Sequence, residues 1–180
     1  MSRPRNSSRV ALRRIWARLG IPADYARTRR LIPQREAARL VAIGRAPDDG
    51  KIIRLAPRAA AGWRKMHAAA AHDGIVLLPL SGFRSVPRQA RIIRRKLAAG
   101  RTLAEILRSV AAPGFSEHHT GRALDLGSPE HIELDAHFAR TAAFRWLRRR
   151  AGEFGFRLSY PRGNPHGIAY EPWHWCWRSR

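Results

Sequence analysis

From Pro57 onward the apolar positions fall into short runs that switch between helical and extended spacing. In "PRAAAGWRKMHAAAAHDG", Trp63, Met66 and Ala70 share one face, behind an opening proline and ahead of Gly74, which predicts a helix. "IVLLPL" is a continuous apolar run of strand length and predicts a buried strand. "VPRQARIIRRKLAAG" and "TLAEILRSV" return to helical spacing, the first stopped by a glycine and the second capped by Thr102. "RALDLG" reads as a short strand, and "ELDAHFARTAAFRWLRRRAGEFG" as the longest helix, with Phe138, Ala142, Trp146 and Leu147 inward. "FRLSYP" and "GIAYEPWHWCWR" close the chain as two strands around the loop "RGNPH". Helices and strands in this order predict an α+β fold, a small, mostly antiparallel sheet flanked by helices.

Upstream of that pattern the chain is arginine-rich and broken by Pro4, Pro22, Pro33 and Pro47, with "APDDGK" as a turn. "SRVALRRIWARLG" makes a short amphipathic helix with Val10, Leu12, Ile15, Trp16 and Leu19 towards one side. Residues 1–54 are therefore expected to be a basic extension on a domain formed by residues 55–180. With 44% hydrophobic and 8% aromatic residues, a 180-residue chain has material for one domain with its own core.

Charge changes the picture more than composition does. A net charge of +22, mostly arginine, attracts polyanions. The arginines are spread along the whole chain, and no basic stripe interleaves with aromatics. Nonspecific attraction to anionic envelope polymers is expected, and a specific nucleic-acid partner is not. Cys176, the single cysteine, excludes an intramolecular disulfide. No apolar run is long enough to span a membrane, and arginines interrupt every run near the start before it resembles a signal peptide. The expected location is the cytoplasm, with holin-type release to the wall as the alternative.

The candidate chemistry lies in two stretches about fifty residues apart. In "SEHHTGRALDL", His118 and Asp125 are metal-ligand types, and Gly121 between them lets the chain bend so that they converge. Past the bend, Ala123 and Asp125 share one strand face, and the small alanine keeps that face open. In "EPWHW", Pro172 forces Glu171 out of the helical region, and His174 is a candidate third ligand. Two imidazoles, a carboxylate and a water describe a catalytic zinc site, with Glu171 beside the open position. Spacing alone leaves the alternative that His174 is a packed core residue, and it assigns Trp173, Trp175 and Trp177 to core or pocket wall.

"SGFRS", "SEHHTGRALDLG" and "YEPWHW", in that order, resemble the VanY-type D-alanyl-D-alanine carboxypeptidases and their relatives, the VanX-like dipeptidases, L,D-carboxypeptidases and some phage endolysins. The resemblance covers roughly residues 57–178. It implies one Zn2+ per chain held by His118, Asp125 and His174, with Glu171 as catalytic base. It implies that Arg84 stabilises the substrate carbonyl or carboxylate and the developing oxyanion. Ser116 and Gln89 match substrate-binding positions. His119, beside the predicted ligand, reads as a pocket-edge residue, and Cys176 as a buried free thiol and not a fourth ligand.

The function implied is a zinc metallopeptidase that hydrolyses the D-alanyl-D-alanine or a related terminal bond of peptidoglycan stem peptides or muropeptides. One alternative is an endolysin-type peptidase cutting within the stem peptide. Another, of a different class, is a non-catalytic, zinc-stabilised wall-binding module, which would have no need of Glu171 or Arg84.

Overall fold

In the computed structural model, which describes residues 4–179, the N-terminal segment lies against the helical side of the molecule. The first three residues of the predicted extension, and the last residue of the chain, lie outside that range. Helix α1 (Pro4–Leu19) buries Leu19, half-buries Leu12, Ile15 and Trp16, and leaves Val10 exposed. The indole of Trp16 donates to the Pro113 carbonyl at 2.9 Å. A single turn, α2 (Tyr25–Thr28), buries Tyr25, whose hydroxyl accepts from the Ala112 N–H at 3.2 Å. Leu19, Ile21 and Tyr25 thereby join one apolar cluster with Ala90, Ile93, Ile106 and Leu107.

Strands β1 (Val41–Arg45) and β2 (Ile52–Leu55) form an antiparallel hairpin around the turn read from "APDDGK". The turn was legible in the sequence and the strands were not. In β2, Ile53 and Leu55 face inward while Ile52 and Arg54 face out, and in β1 Val41 and Ile43 are half-buried while Ala42 and Gly44 are exposed.

Helix α3 (Pro57–His72) forms where proline and the apolar spacing place it, burying Trp63, Met66 and Ala70. It packs closely at Gly62, where an added Cβ would lie 2.8 Å from the Phe154 carbonyl oxygen and 3.0 Å from the Trp177 ring. The run "IVLLPL" pairs only from its fourth residue, as β3 (Leu78–Ser81), and that strand is half-buried throughout, not buried. Its position at the edge of the sheet explains both this and the tolerance of Pro79. Ser85 caps α4 (Val86–Ala98), and a capping box between Thr102 and Glu105 opens α5 (Leu103–Leu107).

The main sheet has the order β3-β4-β6-β5 and every pairing in it is antiparallel. Strand β4 (Ala123–Gly127) lies inside it, buried at all five positions. The predicted long helix over 133–155 is instead three pieces. A 3-10 turn (Ala136–Arg140) precedes α6 (Ala142–Arg150), and another 3-10 turn (Ala151–Phe154) follows it. Thr141 makes the first break: its hydroxyl donates to the Phe138 carbonyl and accepts from the Phe144 N–H, ending one turn and capping the next helix. Strand β5 (Phe156–Leu158) follows, and β6 (His174–Trp177) is shorter than predicted, because Glu171–Trp173 form a turn ahead of it. The result is the α+β class, with a core between α3, α6 and the sheet that includes Leu55, Trp63, Leu124, Leu126, Trp146 and Trp175. Among the described residues, no helix is long and apolar enough to cross a membrane.

Candidate metal centre

The chain from Ala111 to His119 is buried without interruption, and a 3-10 turn (Glu117–Thr120) ends it at Gly121. Gly121 has φ +64°, and a Cβ there would come within 2.8 Å of the Ala56 nitrogen, so glycine is required on both counts. Its bend feeds β4, which brings His118 over Asp125. Across the sheet, Asp125 pairs directly with His174 of β6, and Ala123 pairs with Cys176. A long-range strand register thus supplies the third donor that spacing alone left open.

The three side chains are 2–4% exposed, and one ligand atom from each lies within 4.8 Å of the others. His118 Nε2 is 3.2 Å from Asp125 Oδ2, and His174 Nδ1 is 2.9 Å from Asp125 Oδ1. His118 donates from Nδ1 to the Gly82 carbonyl at 2.6 Å. Its neutral ring therefore aims a bare Nε2 lone pair at a carboxylate oxygen. His174 stands between two carboxylates, with Nε2 3.0 Å from Glu117 Oε2. A neutral imidazole has one N–H, so it can satisfy only one of them. Acceptors facing acceptors in a buried site call for a positive charge among them, a second proton on His174 or a bound cation, and two imidazoles with a carboxylate are a donor set suited to zinc. The residues present fit such an ion.

Electrostatics agree with that reading. Burial lowers His118 to about 4, a neutral ligand-ready ring. Burial also opposes charge on His174, but its hydrogen bonds to Asp125 and Glu117 prevail and raise it to about 10. Asp125 is held well below the usual carboxylate range against the burial penalty, chiefly by His118. Without a metal, the cluster keeps its positive charge on His174. Glu171 moves the other way: burial pushes its carboxyl up to about 8.

Every predicted site position lines one cavity of about 270 Å³. Arg84 reaches it from the turn after β3, its Nη2 3.5 Å from Asp125 Oδ2. Ser81 Oγ and Gln89 Oε1 accept from its guanidinium at 3.2 and 3.1 Å, fixing its direction. Gln89 is itself fully buried and donates to the Ala111 carbonyl at 2.7 Å. Glu171 is anchored through its backbone, donating to the Tyr160 carbonyl and accepting from the His174 N–H. The tryptophans divide: Trp173 lines the cavity, Trp175 is core, and Trp177 covers Gly62.

His119 is not at the pocket edge. It is fully buried, donates from Nδ1 to the Arg84 carbonyl at 2.5 Å, and accepts at Nε2 from the Gly114 N–H at 3.0 Å. Its role is to brace the backbone of Arg84. Cys176 is a buried free thiol outside the converging donors. Sequence reasoning missed Glu117 and Tyr160, whose ring centroid lies 5.0 Å from that of His174. Neither carries a spacing signal, since their neighbours come from distant segments.

The family model for VanY, the D-alanyl-D-alanine carboxypeptidases, matches residues 52–180. The putative carboxypeptidase YodJ of Bacillus subtilis (strain 168) is 38% identical over 116 residues, which is 62% of this chain and 41% of that relative. The chain thus spans about two fifths of the length of the first curated relatives it matches, 41% and 42%. The LD-carboxypeptidase LdcB superposes with a TM-score of 0.70 at 32% identity, covering 79% of this chain and 69% of that one. The vancomycin-resistance D,D-pentapeptidase VanY in complex with Zn(II) superposes with a TM-score of 0.61 at 27% identity, covering 82% of each chain.

Proposed function

The chain belongs to the VanY D-alanyl-D-alanine carboxypeptidase family, and from that premise we propose that it is a zinc-dependent peptidase. Its proposed substrate is the D-alanyl-D-alanine or a related terminal bond of peptidoglycan stem peptides. The reading is carried by the convergence of His118, Asp125 and His174 in one cavity with Glu171 and Arg84. A zinc ion held by His118 Nε2, an Asp125 oxygen and His174 Nδ1 would supply Lewis acidity and a water acidified to about neutrality.

The chain's own groups do the rest. Glu171 takes the proton of the attacking water on its carboxylate and returns it to the departing amine. A carboxyl held at about 8 in the metal-free chain is a stronger base than a solvated one. A cation nearby draws that value down towards the range where a general base works. Arg84, held by Ser81 and Gln89, places positive charge where a substrate carboxylate or the developing oxyanion sits. Ser116 and Gln89 are the proposed substrate-binding positions on the same wall. A non-catalytic zinc module would need neither Glu171 nor Arg84, and here both face the cavity.

Residues 55–180 are the proposed catalytic unit, and residues 1–54 brace it through Leu19, Tyr25 and Ile53. Stem peptides ending in D-Ala-D-Ala, in a single D-Ala, or carrying an internal L-Ala-D-Glu bond test the reading directly, with and without chelator. Mass spectrometry is expected to find one terminal alanine released, stopped by chelator and absent in E171Q. Cleavage at the internal bond would instead support an endolysin-type peptidase, and release indifferent to chelator would sink the proposal.

A further inference from the structure

Glu117 is 8% exposed, and in a chain of charge +22 it is one of only 13 acidic residues. Its carboxylate is gripped from two sides: Ser159 Oγ donates to Oε2 at 2.6 Å, and the Arg178 guanidinium bonds Oε1. So held, Oε2 stands 3.0 Å from His174 Nε2. Asp125 meets the same ring at the other nitrogen, Nδ1. The imidazole therefore separates Glu117 from the converging donors, and Glu117 is not itself among them.

We propose that Glu117 is a positioning residue that fixes the tautomer and plane of His174, so that Nδ1 is presented to the metal. Asp125 offers an acceptor to Nδ1 just as Glu117 does to Nε2, so when a metal takes the place of the proton at Nδ1, Glu117, which only accepts, keeps the remaining proton on Nε2. The two imidazoles then use opposite nitrogens: His118 is oriented through Nδ1 by the Gly82 carbonyl and offers Nε2, while His174 is oriented through Nε2 and offers Nδ1. The charged acceptor behind His174 also makes that ring a stronger donor than a carbonyl would. Ser159 and Arg178 act through Glu117, holding the carboxylate so that it does not swing towards solvent.

This inference rests on the metal reading above, and the test separates the two. The zinc dissociation constant is measured by competition with a chromophoric chelator. Imidazole ¹⁵N shifts of the zinc-loaded protein report which nitrogen of His174 carries the proton. E117A is expected to bind zinc about 10–100-fold more weakly and to lose the Nε2–H signature. E117Q, whose amide oxygen still accepts from Nε2–H, is expected to keep the tautomer and to lose less affinity. Ser159→Ala, one step further out, is expected to cost less than E117A. Should E117A fail to fold by circular dichroism, E117L, which fills the space without an acceptor, takes its place: weaker zinc binding with loss of the Nε2–H signature supports the role. Zinc affinity within about twofold of wild type, with unchanged ¹⁵N shifts, would overturn it while leaving the metal reading intact. A wild-type chain that takes up no zinc would overturn both.

Discussion

Glu171→Gln is close to isosteric and leaves His118, Asp125 and His174 in place. It is expected to retain zinc while hydrolysis falls by about 10²–10⁴-fold, the usual worth of a positioned acid–base group. Metal analysis beside turnover checks this; a variant that still turns over would remove Glu171 from its proposed role. His118 and Asp125 were legible because one glycine-containing bend joins them, and the pattern "SEHHTGRALDL" holds all the local information. His174 was legible as a candidate only, since its place opposite Asp125 comes from the β4–β6 register. Glu117 was not legible. It stands beside two histidines in an acidic-looking "SEH", and what makes it special is Ser159, His174 and Arg178, 42 to 61 residues away.

The same contrast runs through the elements. Helices α3, α4 and α5 were readable because proline, glycine and capping residues mark their ends. The helix expected over 133–155 was misread because Thr141 is compatible with helix on propensity alone. Its hydroxyl makes it a break only in contact with Phe138 and Phe144. Thr141→Ala is therefore expected to destabilise the fold by about 1 kcal/mol, seen as a lower denaturant midpoint. At the other end of α6, Asp73 accepts from Trp146 Nε1 at 2.7 Å and from Arg150 at 2.6 Å. These bonds, the indole first, hold its carboxyl at about 2. Its contribution to stability is complete above about pH 4 and disappears as pH falls towards 2. Thermal melts across that window are expected to show wild type losing its advantage over D73N as acid is added. A constant gap between the two would refute the linkage. Gly121→Ala should both destabilise the chain and weaken metal binding, because relieving the contact with Ala56 shifts the bend that aligns His118 with Asp125. Wild-type metal affinity in that variant would show that the bend is not needed.

For the molecule as a whole, the N-terminal segment was the least legible part. Its apolar spacing places Leu12, Ile15, Trp16 and Leu19 on one side of a helix, but the hairpin emerges only against α3 and β3, and the burial of Tyr25 only against α4, α5 and the buried loop before His118. The charge of +22 has no such local partner to explain it. It predicts binding to anionic polymers that weakens steeply with salt and is equal in wild type and E171Q, since it needs no active site. Retention that differs between the two would tie the charge to catalysis instead. The central claim is narrower: two imidazoles and one carboxylate, brought together by a glycine bend and a strand register, hold a single metal ion. Anomalous diffraction at the zinc edge from crystals of the zinc-loaded protein tests it most directly. One peak is expected within about 2.0–2.2 Å of His118 Nε2, an Asp125 oxygen and His174 Nδ1. Zinc bound elsewhere, with that cavity empty, would contradict the account.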